Sequence, residues 1–196
     1  MNRLIVFVKR PVPGRVKTRL CPPLAPQQAC SLYKIMARDV WRRARGVKGA
    51  RTIAAVDGGG DASWLGRSVP WFRQAPGGLG SRLIGAFEKA FAEGARKVAI
   101  IGSDIPGLPP ERLAQAFARL DSADLVLGPS YDGGYYLVAL SQPRPWLFRG
   151  VPWSTEKVFA RTRAKALARK LGVEVLPPFG DVDLPGCMTL VSEFFP

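Results

Sequence analysis

Val98-Ala-Ile-Ile-Gly-Ser-Asp104-Ile-Pro-Gly-Leu108 carries an apolar run directly into an acidic residue and then into a proline–glycine turn. The run shows no alternation of apolar and polar positions, which predicts a strand covered on both faces, as in parallel sheets sandwiched between helices. Sheets of that kind open their ligand crevices at the carboxyl ends of the strands. Asp104 stands at such an end. Its carboxylate could cap the turn that follows, or reach into a crevice while its backbone stays rooted in the core.

Outward from this stretch, apolar runs alternate with segments of helical period, the pattern of an α/β protein with a mostly parallel sheet. Strands are predicted near residues 3 to 9, 51 to 57, 97 to 102, 124 to 128, 135 to 140 and 173 to 176. Between them, Leu32, Met36 and Val40 mark one helix face, Leu83, Phe87, Ala90 and Phe91 a second, and Leu113, Phe117 and Leu120 a third. Phe159, Ala166, Leu167 and Leu171 mark a fourth helix, with Ser154 or Thr155 as its predicted cap and Gly172 as its predicted end. Gly58-Gly-Gly60, Pro76-Gly-Gly78 and Pro177-Pro178 punctuate loops, and no stretch is long or polar enough to be a linker. One domain over residues 1 to 196 is expected.

Composition narrows the chemistry. The chain has no histidine, which removes histidine-based proton relays and most nucleophilic triads. Cys21, Cys30 and Cys187 form no C-x-x-C pair and leave an odd thiol, which argues against a disulfide framework or zinc knuckle and for a reducing compartment. Leu4–Val8 is too short to span a membrane and is soon followed by proline and glycine, so a soluble, cytoplasmic protein is expected. The net charge of +14 is uneven: residues 1 to 80 hold 15 basic and three acidic side chains, residues 81 to 196 hold 14 and 12. The N-terminal part should therefore favour an anion. A nucleic-acid-binding domain would also be basic, but charge alone does not make nucleic acid the expected partner.

Much of that charge lies in Lys9-Arg-Pro-Val-Pro-Gly14-Arg-Val-Lys-Thr-Arg19-Leu20, just after the first strand. Lys9, Arg10, Arg15, Lys17 and Arg19 surround a turn that prolines stiffen, a suitable place to hold phosphates by forked guanidinium groups and lysine point charges. A solvated basic loop is the alternative. Neither the G-x-x-x-x-G-K-[ST] nor the G-x-G-x-x-G spacing is present, so neither a P-loop nor an ordinary dinucleotide site is supported. Phosphate-rich donors travel with Mg²⁺, which takes only one or two carboxylates from a protein. Asp104 and Asp183 would supply two if the fold joins them. Asp132-Gly-Gly134 reads either as a hairpin turn or as backbone that a substrate can approach closely.

The order of these segments brings a resemblance into view. Phe7-Val-Lys-Arg-Pro-Val-Pro-Gly-Arg-Val-Lys-Thr-Arg-Leu20, Ile101-Gly-Ser-Asp-Ile-Pro-Gly-Leu108, Leu127-Gly-Pro-Ser-Tyr-Asp-Gly-Gly-Tyr-Tyr136, Trp153-Ser-Thr155 and Asp181-Val-Asp183 together resemble the bacterial glycosyltransferase family also called radical-SAM/selenodomain-associated transferase 1. The resemblance implies the GT-A fold of the nucleotide-diphospho-sugar transferase superfamily, a Rossmann-like three-layer α/β/α sandwich. Relatives there include molybdenum cofactor and phospholactate guanylyltransferases, so nucleotidyl transfer stands beside glycosyl transfer, with a non-catalytic nucleotide-binding member as a third reading. It further implies a nucleotide-activated small-molecule donor, an acceptor it does not specify, and Mg²⁺ or Mn²⁺ as cofactor. Matched residue by residue, Arg15, Lys17 and Arg19 would hold nucleotide phosphates, joined by Gln74, Gly80 and Arg82. Asp104 and Asp183 would hold the metal, with Lys17 and Asp104 as the catalytic pair. Asp132, Gly133, Gly134 and Tyr135, with Trp153, Ser154 and Thr155, would line the acceptor side. The chain departs from the family pattern at Gly78, where an aspartate is usual, and after Asp183, where Leu184-Pro-Gly-Cys-Met188 lacks the usual hydroxyl and acids.

Overall fold

The computed structural model describes residues 1–183; Cys187 and the 184–188 departure lie outside them. Seven strands form one sheet: β1 (Asn2–Lys9), β2 (Ala50–Asp57), β3 (Trp71–Arg73), β4 (Val98–Ile101), β5 (Leu125–Pro129), β6 (Tyr135–Leu140) and β7 (Val173–Val175). Their order across the sheet is β3-β2-β1-β4-β6-β5-β7. Every neighbouring pair is parallel except the two that involve β6, which runs against both β4 and β5. Six strands stand where the apolar runs predicted them. The short edge strand β3 was not foreseen, because two of its three residues, Trp71 and Arg73, are exposed and carry no periodic signal.

Among the described residues four α-helices complete three layers: α1 (Pro26–Arg45), α2 (Leu79–Ala92), α3 (Pro110–Arg119) and α4 (Val158–Ala168). Alternation along β1 sorts them. Leu4, Val6 and Val8 face a core shared with Val40 of α1 and Leu113 and Phe117 of α3. Ile5 faces the opposite core, with Leu83 and Phe87 of α2 and Ala166 of α4. Each Val, Leu, Ile or Phe side chain fully removed from water in these layers contributes about 1.5–3 kcal/mol. This is the α/β GT-A-type architecture, with covered parallel strands delivering their carboxyl ends to one edge.

Helix α4 differs from its prediction in three ways. Neither Ser154 nor Thr155 caps it; Lys157 is the N-cap residue, and the Thr155 hydroxyl accepts from its backbone N–H at 3.3 Å. Leu167 is exposed rather than core. The helix ends at Ala168, with Lys170 in the left-handed region at φ 56°, while Gly172 donates its N–H to the Asp124 carboxylate at 3.0 Å. Helical spacing located the stripe, but the ends were decided by local hydrogen bonds. No helix among the described residues is long and apolar enough to cross a membrane.

Candidate active site

The basic loop leaves β1 and is pinned by what it buries. Val16 and Leu20 are sunk in the core, so Lys17 between them is carried inward with a left-handed backbone, φ 51°. Holding a non-glycine residue there is energetically unfavourable and requires its surroundings to impose it. The Lys17 ammonium donates to Asp104 Oδ2 at 3.0 Å and to Asp183 Oδ1 at 3.0 Å, and Arg19 reaches Asp183 Oδ2 at 3.1 Å. Three segments remote in sequence thus meet at one point. The Lys17 side chain is only 5% exposed, whereas Arg19 is largely in solvent.

Charge explains the protonation states. Burial by itself would lower the Lys17 pKa, but Asp104 and Asp183 outweigh it and hold the ammonium above its ordinary value. Burial would likewise raise Asp183, yet Lys17 and Arg19 keep its carboxyl below the usual range. Asp181 is the opposite case. Burial first, then the charges of Asp104 and Asp132, push it up to about 6.

Tyr33 on α1 is a site residue that the sequence reading missed, because a tyrosine beside Leu32 in an apolar stripe looks like core. Its hydroxyl accepts the Lys9 backbone N–H at 2.7 Å, donates to the Lys9 carbonyl at 3.1 Å and lies 3.3 Å from Ser103 Oγ. It therefore ties the start of the basic loop to the residue before Asp104. Burial pushes this phenol up to about 12, so it remains a neutral strut. A second brace is Asp39, also on α1, which accepts from Arg42, Arg43 and the Gly107 backbone N–H.

The cleft has two lobes that share Lys9, Lys17, Leu79, Asp104, Tyr135 and Asp183. The inner lobe, about 290 Å³, is walled mainly by apolar strand residues, with Gln74 and the ion pair Asp57–Arg82 among its polar groups. The Gln74 side-chain amide is committed to the Ala55 carbonyl at 2.8 Å and the Val8 carbonyl at 3.4 Å. The outer lobe, about 580 Å³, is polar and contains Arg15, Arg19, Asp132, Gly134, Trp153, Ser154, Thr155 and Asp181. Arg10 does not join the other cations; its side chain lies over Gly60.

The remaining predicted residues support the cleft walls. Residues 130–134 form the hairpin turn between antiparallel β5 and β6, with the Asp132 carboxylate accepting from Gly134 N at 2.9 Å. Gly133 has φ +85°, and a Cβ there would come within 2.2 Å of the Glu156 carbonyl, so only glycine fits. Its carbonyl accepts from Phe159 N at 2.9 Å, which joins the hairpin to the start of α4. Gly80 lies beneath the wall, where a Cβ would come 2.7 Å from Trp153 Nε1. The Trp153 ring meets Tyr135 edge-on at 6.3 Å, so the two aromatics of the outer lobe brace one another.

Two carboxylate oxygens already converge on one positive charge, and hard oxygen donors in that number suit a Mg²⁺ or Mn²⁺ ion that also binds substrate phosphates. Among the described residues no group of three or more His, Cys, Asp or Glu side chains is arranged to hold a metal unaided. Just beyond β4, Asp104 folds back over Gly102: a Cβ there would lie 2.6 Å from Asp104 Oδ1.

Known structures share this fold. A candidate nucleotide-diphospho-sugar transferase from Desulfovibrio desulfuricans G20 is similar at 33% identity, with 93% of this chain and 82% of that one covered and a TM-score of 0.84. A nucleotidyl transferase from Methanothermobacter thermautotroptrophicus is similar in fold, at 15% identity, 100% and 97% coverage and a TM-score of 0.65. So is glucosyl-3-phosphoglycerate synthase from Mycobacterium tuberculosis, solved with Mg²⁺ and uridine diphosphate, at 11% identity, 92% and 70% coverage and a TM-score of 0.53. Among curated proteins none matches the sequence. Residues 34–155, which contain Asp104, the Asp132–Tyr135 turn and Trp153–Thr155, match the profile described as "Uncharacterized protein conserved in bacteria (DUF2064)", and the chain belongs to that family.

Proposed function

We propose that the chain is a metal-dependent transferase that uses a nucleotide-activated donor, with glycosyl transfer as its reaction. The observation that carries this reading is the meeting of Lys17, Asp104 and Asp183 at the junction of two lobes, one mainly apolar and one polar, with Arg19 joining Asp183 from the polar side. Lys17, Arg15 and Arg19 grip the donor phosphates. Asp104 and Asp183 hold Mg²⁺ or Mn²⁺, which supplies charge neutralisation as negative charge builds on the departing phosphate. The inner lobe takes the nucleoside, beside Gln74 and Arg82. The hairpin at Asp132–Tyr135 and the Trp153–Thr155 turn orient the acceptor. Catalysis is then positioning and electrostatics, supplied by the cations and carboxylates of the cleft.

Nucleotidyl transfer is the second reading, and Gly102 favours it. Many glycosyl-transferring relatives carry Asp-x-Asp at this strand end; here the first position is glycine, crowded by Asp104 itself. The two reactions leave different products. With water or an added sugar or phosphorylated compound as acceptor, purified protein with Mg²⁺ or Mn²⁺ releases nucleoside diphosphate from sugar nucleotides in the first case and pyrophosphate from nucleoside triphosphates in the second. Thermal stabilisation by nucleotide with no product from any donor would instead identify a binding protein without turnover.

A further inference from the structure

Lys17 is placed unusually for a phosphate ligand. Its ammonium points at two carboxylates, 3.0 Å from each, and stands where a cation between Asp104 and Asp183 would stand. With Arg19 on the far oxygen of Asp183, the four formal charges cancel. A free divalent cation approaching this cluster would have to expel a buried ammonium and leave it unpaired, an arrangement that low-dielectric surroundings penalise strongly. A polyphosphate changes the balance. It brings negative charge for the ammonium to move onto, and the carboxylates are released for a cation at the same moment.

We infer that Lys17 makes the carboxylate pair selective for a divalent cation that arrives with a polyphosphate, by occupying the cation's place until the phosphates draw the ammonium away. The inference rests on the reading of Asp104 and Asp183 as the metal-binding pair. It explains why an inward-turned lysine is held by Val16 and Leu20 in a left-handed backbone: the side chain must reach the carboxylates in one state and the donor in the other. The two ligands then bind with positive coupling, each lowering the cost of the other.

Equilibrium dialysis of the full chain against Mn²⁺ alone, and against Mn²⁺ with inorganic tripolyphosphate, tests this without any need for turnover. Wild-type protein should retain little Mn²⁺ alone, and tripolyphosphate should tighten its apparent Kd by roughly tenfold or more, within the usual range of coupled ligands. Lys17→Met should retain Mn²⁺ unaided and gain much less from tripolyphosphate. Lys17→Arg, which keeps the charge, should restore the weak binding of free Mn²⁺. Wild-type protein that binds free Mn²⁺ as tightly as Lys17→Met, or that gains nothing from tripolyphosphate, overturns the inference. If Lys17→Met does not fold, the wild-type pair of measurements decides alone. Adding Asp104→Asn to Lys17→Met separates the underlying reading: retention that persists without Asp104 means the carboxylates are not the metal site, and both conclusions then fall.

Discussion

Val182 donates its backbone N–H to the Asp104 carbonyl at 2.9 Å, so the segment bearing Asp183 is stitched to the strand end bearing Asp104. The Val182 side chain is fully buried against Leu20, Leu32 and Met36, which anchors the same segment from below. The backbones that carry two carboxylates remote in sequence are thus tied together by main chain and core.

Asp104→Asn should therefore leave the fold nearly intact while removing metal-dependent donor binding. Titration calorimetry with nucleotide in the presence and absence of Mg²⁺ checks it. Unchanged metal-dependent affinity would remove Asp104 from the site.

The two arginines that flank the loop should behave differently. Arg19→Ala should weaken donor binding by about 1.5–3 kcal/mol, the usual loss for a charged hydrogen bond. Arg10→Ala should leave it unchanged, because that side chain lies over Gly60 instead of in the cleft. Equal losses in the two variants would show that only general loop charge matters.

Asp39 should make stability depend on acid. Burial alone would raise its pKa, but the Gly107 N–H, Arg43 and Arg42 outweigh burial and hold the folded carboxyl below its ordinary value. The unfolded group titrates at about 3.9, so the stabilisation is complete above that pH and is lost as pH falls through the lower folded value. Asp39→Asn should reduce stability at neutral pH and flatten this acid dependence in urea melts followed by circular dichroism. A variant as stable as wild type across the range would show that the brace contributes nothing.

Gly80→Ala would force a methyl group to within 2.7 Å of Trp153 Nε1 and 2.8 Å of the Phe148 carbonyl. Overpacking of this kind costs about 1–3 kcal/mol. We expect a lower melting temperature and altered tryptophan fluorescence. Unaltered values would mean that α2 and the Trp153 turn separate freely.

The sequence made the covered strands and helix faces legible because burial leaves a periodic trace: Leu4, Val6 and Val8 in β1, or Leu83, Phe87 and Ala90 in α2. It left no such trace for Trp71–Arg73, whose pairing depends on β2 alone. The site divides in the same way. Asp104 is readable as a strand-end carboxylate, but its meeting with Lys17 and Asp183 depends on the Val16 and Leu20 anchors and on the Val182 hydrogen bond, none of which has a local signature. Tyr33 and Asp39 were hidden for the opposite reason, since each sits on a helix whose pattern already had an explanation. Gly80 resembles part of a nucleotide-binding stretch, and its close approach to Trp153 is a feature that only the fold reveals.

The reversed direction of β6 gives the molecule a seam. Lys17 and Asp104 follow parallel strands whose positions the central layers dictate, while the Asp132–Tyr135 turn belongs to an antiparallel excursion that leaves and re-enters the same edge. One rim is built into the foundations and the other is an inset. Exchange of residues 130–134 with those of a sister protein could re-tailor what the inset greets, and the opposite rim would keep its grip unaltered.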